Sequence, residues 1–149
     1  MIKINLNKKS FARVDYKKLE SQAQKVFDLL DTKNKEFELN FVRPMRMKKI
    51  NRDYRGKDKP TTTLSFVSAD AKDFVSSPEN SDYLGEIFLC TAEIKKKAKI
   101  EQISTEIMMT RYLVHGILHL VGYRHDTDEN FLRMEAKEEE LVRLLNDKS

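Results

Sequence analysis

All three histidines of this 149-residue chain fall within eleven residues, in the segment HGILHLVGYRH from His115 to His125. The spacing is H-x3-H-x2-G-x2-H. His115 and His119 stand four apart, so on a helix both imidazoles leave from one face. Gly122 then stops the helix, because glycine accepts the left-handed backbone that a sharp reversal needs. The reversal lets His125 return to the same point. Three imidazole nitrogens at about 2.0–2.1 Å from one ion, with water at the open position, make a catalytic zinc site. The chain must therefore fold around a helix whose last turn faces a polar centre.

The spacing matches the ligands of the long zinc-peptidase motif HExxHxxGxxH, with one departure. The glutamate that serves that motif as general base is Gly116 here. Three neutral imidazoles suit zinc, and nickel, copper and iron are chemically admissible. Asp126 and Asp128 are close enough in sequence to orient a ligand. The competing reading of the three histidines is a satisfied core pair with one surface residue.

The rest of the chain alternates strand and helix patterns. Residues 2–6, 36–42, 63–67 and 84–90 read as strands. A helix capped by Asp15 runs to about Asp31, with Leu19, Ala23, Val26 and Leu30 on one face. Pro44 opens a short basic helix, MRMKKINRDY, with Met47 and Ile50 inward. Residues 55–62 and the polar stretch 68–82 read as loops, the second a mobile one, and 92–98 as a short helix. The histidine helix spans about Ile103 to Val121. Its expected buried stripe is Ile103, Ile107, Val114, Leu118 and Val121, while Met108, Tyr112, His115 and His119 share another face. A last helix, from about Asp128 to Asn146, is capped by Thr127 or Asp128. With no repeat, linker or low-complexity segment, residues 1–149 form one α+β domain.

Charge is unevenly spread. Residues 1–60 hold 17 Lys and Arg against 8 Asp and Glu, whereas residues 61–149 hold 11 against 16. The positive charge is densest in Arg43, Arg46, Lys48, Lys49, Arg52, Arg55, Lys57 and Lys59. Such asymmetry suits a nucleic-acid partner, and it equally suits a solvated helix face. The single cysteine, Cys90, excludes an internal disulfide and closes an apolar run, LGEIFLC, as a buried thiol. The start reads as having no apolar leader and no stretch has the length of a membrane span, so a soluble, cytoplasmic protein is expected.

The histidine segment resembles the signature HGxLHLxGYDH of the YbeY-type proteins, bacterial metal-dependent endoribonucleases of ribosomal RNA maturation. A second segment, YRGKDKPTTTLSFV from Tyr54 to Val67, is similar to that family's YRGKDxPTDVLSFP, and LGEIFLC is similar to its LGDI strand. The likeness extends from about Glu36 to Leu145. Arg124 and Thr62 stand where the family usually has aspartate, and Val67 where it has proline. None of the three departures removes a metal ligand.

The resemblance implies a zincin-like α+β fold: a four-stranded mixed sheet, about five helices, and the metal site at the end of a central helix. It implies one zinc ion per chain on His115, His119 and His125, and a role for Arg55 in RNA cleavage. The implied work is single-strand-specific cleavage in 16S ribosomal RNA 3′-end maturation and ribosome quality control. The implied partners are ribosomal RNA, the small ribosomal subunit and a ribosome-assembly GTPase.

The residues fit phosphodiester chemistry. Bound zinc lowers the pKa of a water to roughly 7 and polarises a phosphoryl oxygen. Arg55, paired in catalysis with the ligand His115, is expected to clamp a nonbridging oxygen; its alternative is a loop salt bridge to Asp58. Arg43, Arg46, Lys48, Lys49, Arg52, Lys57 and Lys59 are the expected RNA contacts. Glu86 or a substrate 2′-hydroxyl is the candidate base. Two other functions compete: another zinc hydrolase, peptidase or amidase, and a non-catalytic ribosome-assembly factor with structural zinc. Gly116 in the base position speaks against the first. The usual need of structural zinc for four protein ligands speaks against the second.

Overall fold

The computed structural model describes residues 3–7, 14–32, 35–68 and 83–146. The elements run β1 (Lys3–Asn7), α1 (Tyr16–Leu29), β2 (Glu36–Phe41), α2 (Pro44–Arg55), β3 (Thr63–Val67), β4 (Tyr83–Leu89), α3 (Thr91–Glu101), α4 (Thr105–Leu120) and α5 (Asp128–Asn146). The strands lie in the order β1-β2-β4-β3. β1 pairs parallel with β2, β2 parallel with β4, and β3 antiparallel with β4. β1 enters this sheet through backbone pairing, and the part whose side chains are described has three strands, β2, β4 and β3.

Alternation along the strands builds two cores. Phe37, Leu39, Phe41, Ile87 and Leu89 face one way and join the buried residues of α1, α3, α4 and α5. Leu64 of β3, with Phe66 and Phe88, faces the other way and packs on Val42, Met47 and Cys90 beside α2. Cys90 is fully buried at the N-terminus of α3, as an inert thiol.

α4 is the central element, with contacts to α1, α3, α5, β3 and β4. Ser104 caps it, its Oγ accepting from the Ile107 amide at 3.1 Å. The expected single stripe was too narrow. Met108, Met109, Thr110, Leu113, Val114, Gly116, Ile117, Leu118 and Leu120 are all buried, so most of the circumference is covered. Ile107, expected inside, is 37% exposed in the first turn, and Ile103 and Val121 sit half-buried at the ends. The close approach of α4 to β4 depends on Gly116. A Cβ there would stand 2.9 Å from Ile87 Cδ1 and 3.0 Å from its Cγ2. A second tight point lies on β4, where the register shifts by one residue and Gly85 takes φ +135°.

The bounds of two other helices differ from expectation. α2 includes Arg55, because Gly56 at φ +72° ends it one residue later. α3 runs Thr91–Glu101, longer than the expected 92–98, and ends on Gln102 in the left-handed conformation. Of the loop expected at 68–82, all but Ser68 lies outside the described residues.

Candidate metal centre

α4 ends in a Schellman motif. The Tyr123 amide donates to the Leu118 carbonyl at 2.9 Å and the Gly122 amide to the His119 carbonyl at 3.1 Å. Gly122 supplies the positive φ, +109°, that the motif requires. The chain therefore turns sharply after the helix and brings His125 back over His119. One ligand atom from each of His115, His119 and His125 lies within 4.8 Å of the others. The His119 ring stands edge-on to those of His115 and His125, with centroids 4.7 Å away in each case.

Two features prepare these rings for a cation. Burial, then the neighbouring His115 and His125, pull the His119 pKa down to about 4, so its imidazole is neutral at pH 7. Neutral imidazole is the form that ligates metal. His115 Nδ1 lies 2.6 Å from Glu138 Oε1 on α5. A carboxylate accepting from Nδ1 holds the proton there and leaves the Nε2 lone pair for an ion. The donor set, three convergent imidazoles with one anchored by carboxylate, fits a transition-metal ion such as zinc.

Glu138 takes the part that Asp126 and Asp128 were expected to fill. Asp126 Oδ1 accepts from Asn130 Nδ2 at 2.9 Å, and Asp128 is the exposed first residue of α5. Thr127 is the cap: its Oγ1 accepts from the Asn130 amide. The sequence did hold a signal for Glu138. It lies between Met134 and Leu141 at helical spacing, a carboxylate on the stripe that α5 buries against the core.

Arg55 is exposed in the last turn of α2, and among the described residues no contact joins it to the histidines. Asp58, its expected partner, pairs with Arg52 at 3.9 Å. Beside Arg55, Tyr54 packs edge-on against Phe66 at 5.0 Å, and the residue after Phe66, Val67, lines a cleft beside His119. Arg46, Lys48, Lys49 and Arg52 are exposed on α2, opposite Met47 and the buried Asn51, and Arg43 is exposed at its N-cap. Lys57 and Lys59 are exposed in the following loop, which the Asn51 amide anchors at the Lys59 carbonyl, 2.8 Å. Glu86 is not placed to serve as base. It points to the sheet face opposite Ile87 and accepts from Asn40, and burial together with Glu38 raises its pKa.

The cleft beside the histidines has a volume of about 310 Å³ and is lined by Val67, His119, Gly122, Tyr123, Arg124, His125 and Asp126. A family model described as endoribonuclease YbeY matches residues 3–146. The chain belongs to the YbeY family. A Syntrophus aciditrophicus protein named endoribonuclease YbeY is 30% identical over 142 residues, covering 94% of this chain and 87% of the relative. One of the same name from Bartonella bacilliformis is 39% identical over 107 residues, covering 72% and 66%. The solution structure of a Thermotoga maritima protein superposes with a TM-score of 0.64 at 26% identity, covering 97% of this chain and 89% of that one. Among the described residues no helix is long and apolar enough to cross a membrane.

Proposed function

We propose that this chain is a metal-dependent endoribonuclease that cuts single-stranded ribosomal RNA in the cytoplasm. Its task on this reading is maturation of the 16S 3′ end and quality control of ribosomes, with the small subunit and an assembly GTPase as partners. The observation that carries it is the convergence of His115, His119 and His125 within 4.8 Å at the end of α4, in a member of a family named for endoribonuclease activity. On this reading the site follows a zincin-like plan, which the helix, the reversal and the sheet support.

His115, His119 and His125 would hold one zinc ion, which when bound supplies Lewis acidity and an acidified water. The protein's own contributions are separate from that chemistry. Glu138 fixes the His115 ring. The guanidinium of Arg55 clamps a nonbridging phosphoryl oxygen where charge develops. The cations of α2 and its following loop hold flanking phosphates and set affinity rather than rate. With Glu86 turned away, the substrate's 2′-hydroxyl is the remaining candidate for the proton-transfer partner considered above.

The peptidase alternative loses further ground, because Gly116 is held by packing as well as lacking a carboxylate. The structural-zinc alternative lacks a fourth ligand: among the described residues no thiol or carboxylate joins the cluster of three. The test is Arg55→Ala on a single-stranded RNA. Cleavage should fall by roughly 10²–10³ while bound zinc stays at one per chain. Near-wild-type cleavage with intact metal removes the clamp, and His115→Ala restoring mature ribosomal RNA ends in cells removes the enzyme.

A further inference from the structure

Arg124 stands on the wall between two clefts. One is the cleft beside His119 and His125. The other, about 330 Å³, is lined by Val121, Gly122, Tyr123, Arg124, Asn130 and Arg133. Gly122, Tyr123 and Arg124 border both. The reversal that delivers His125 to the metal centre therefore also sets Arg124, its neighbour in sequence, between the two spaces.

The second cleft has the chemistry of a nucleotide subsite. Both charged residues on its wall are arginines, and no carboxylate lines it. Of the nearby acids, Asp126 accepts from Asn130 and Glu129 accepts from Arg133 Nη2 at 3.2 Å, both donors being residues of the wall itself. That single contact leaves most of the five Arg133 donors for a ligand. Among the described residues Arg124 has no ion pair within 4.0 Å, and it is exposed. Tyr123 adds an aromatic ring of the kind on which bases stack. Volumes of about 300–1,000 Å³ suit small-molecule ligands, and this cleft lies at the lower end, the size for one nucleotide rather than a duplex.

We propose that this cleft binds the nucleotide adjacent to the scissile phosphodiester, with Arg124 and Arg133 on its phosphates and Tyr123 against its base. The proposal rests on the endoribonuclease reading and specifies which surface next to the metal centre the strand follows. Arg124 and Arg133 are positioning residues: they fix the register of the strand.

Binding to the metal-stripped full chain tests this without any catalytic readout. A fluorescein-labelled single-stranded RNA decamer is titrated by anisotropy from about 50 to 200 mM salt. For Arg124→Ala with Arg133→Ala, affinity at low salt should fall by roughly tenfold or more, and the slope of log K against log salt should drop by about 1.4, two phosphates at about 0.7 each. Arg143→Ala, farther along α5, should bind like wild type. In the metal-loaded enzyme the double variant should raise KM with little change in kcat. Arg124→Gln with Arg133→Gln repeats the comparison should the alanines disturb folding. A double variant with wild-type affinity and slope, while wild type binds and cleaves RNA, overturns the subsite alone. A wild type that neither binds nor, with metal, cleaves RNA overturns the endoribonuclease reading and the subsite together.

Discussion

Removing the Glu138 carboxylate should weaken metal binding without unfolding the protein. Its Oε1 lies 2.6 Å from His115 Nδ1, a short, charge-assisted contact of the kind about twice as strong as a neutral one. The side chains are 29% and 17% exposed, so the pair is only partly screened. Losing such a contact frees the His115 ring to rotate and lowers the basicity of Nε2. Carboxylates behind metal-bound histidines typically account for 10–100-fold in affinity, about 1.4–2.7 kcal/mol. Glu138→Ala should lose that factor, and Glu138→Gln, which keeps an uncharged acceptor, should lose less. The assay is competition for zinc against a chromophoric chelator, read alongside a denaturation curve of the metal-free protein. Asp126→Ala is the comparison, because its carboxylate bonds Asn130 instead; its zinc affinity should stay within about twofold, as expected of an exposed side chain with no contact to a ligand. Wild-type zinc affinity in Glu138→Ala would refute the assignment of this carboxylate to the site.

Gly116→Ala places a methyl 2.9 Å from Ile87 Cδ1 and should destabilise the fold by about 1–3 kcal/mol in chemical denaturation. Gly122→Ala meets no atom within 4 Å, so its cost is the positive φ alone, on the order of 1 kcal/mol, and lower zinc affinity should accompany it as His125 loses its placement. The metal-free protein should lose stability as the pH falls from about 6.5 to about 4. His119 has its folded pKa lowered to about 4 by burial and its histidine neighbours, so in that window the unfolded chain binds the extra proton. Urea titrations of chelator-treated protein across the range check the sign: a midpoint that rises on acidification contradicts it.

Local rules account for the parts of this molecule that were legible in the sequence. His115 and His119 share a face because four residues make about one helical turn, and Gly122 carries its own signal for the reversal. The caps at Asp15 and Thr127 follow from the chemistry of one side chain over three residues. Illegible were contacts made by packing between distant segments. Glu138 reaches His115 across 23 positions because α5 lies on α4. Ile107 is exposed in the first turn of α4, whereas the helix from Met108 onward is covered by five neighbouring elements, and no single-stripe pattern fits a helix buried nearly all round. Glu86 shows the same limit: its alternation with Ile87 is visible in LGEIFLC, but only pairing of β4 with β2 and β3 decides which sheet face meets the histidine helix.

Gly116 joins packing to chemical selectivity. In the peptidase motif that its neighbours match, this position supplies the base. Here the backbone of α4 approaches Ile87 so closely that even a Cβ is crowded, and Ile87 sits fully buried on the central strand pair of the sheet. Restoring a glutamate would require β4 and α4 to separate, which would also shift His115 and His119 on the same helix. The two demands, ligands on one face of α4 and close contact one residue away, exclude the peptidase base from this fold as built. Gly116→Glu should therefore lose stability and zinc together, rather than gain peptide hydrolysis. A folded Gly116→Glu protein with full zinc occupancy would show that the glycine is not required by packing.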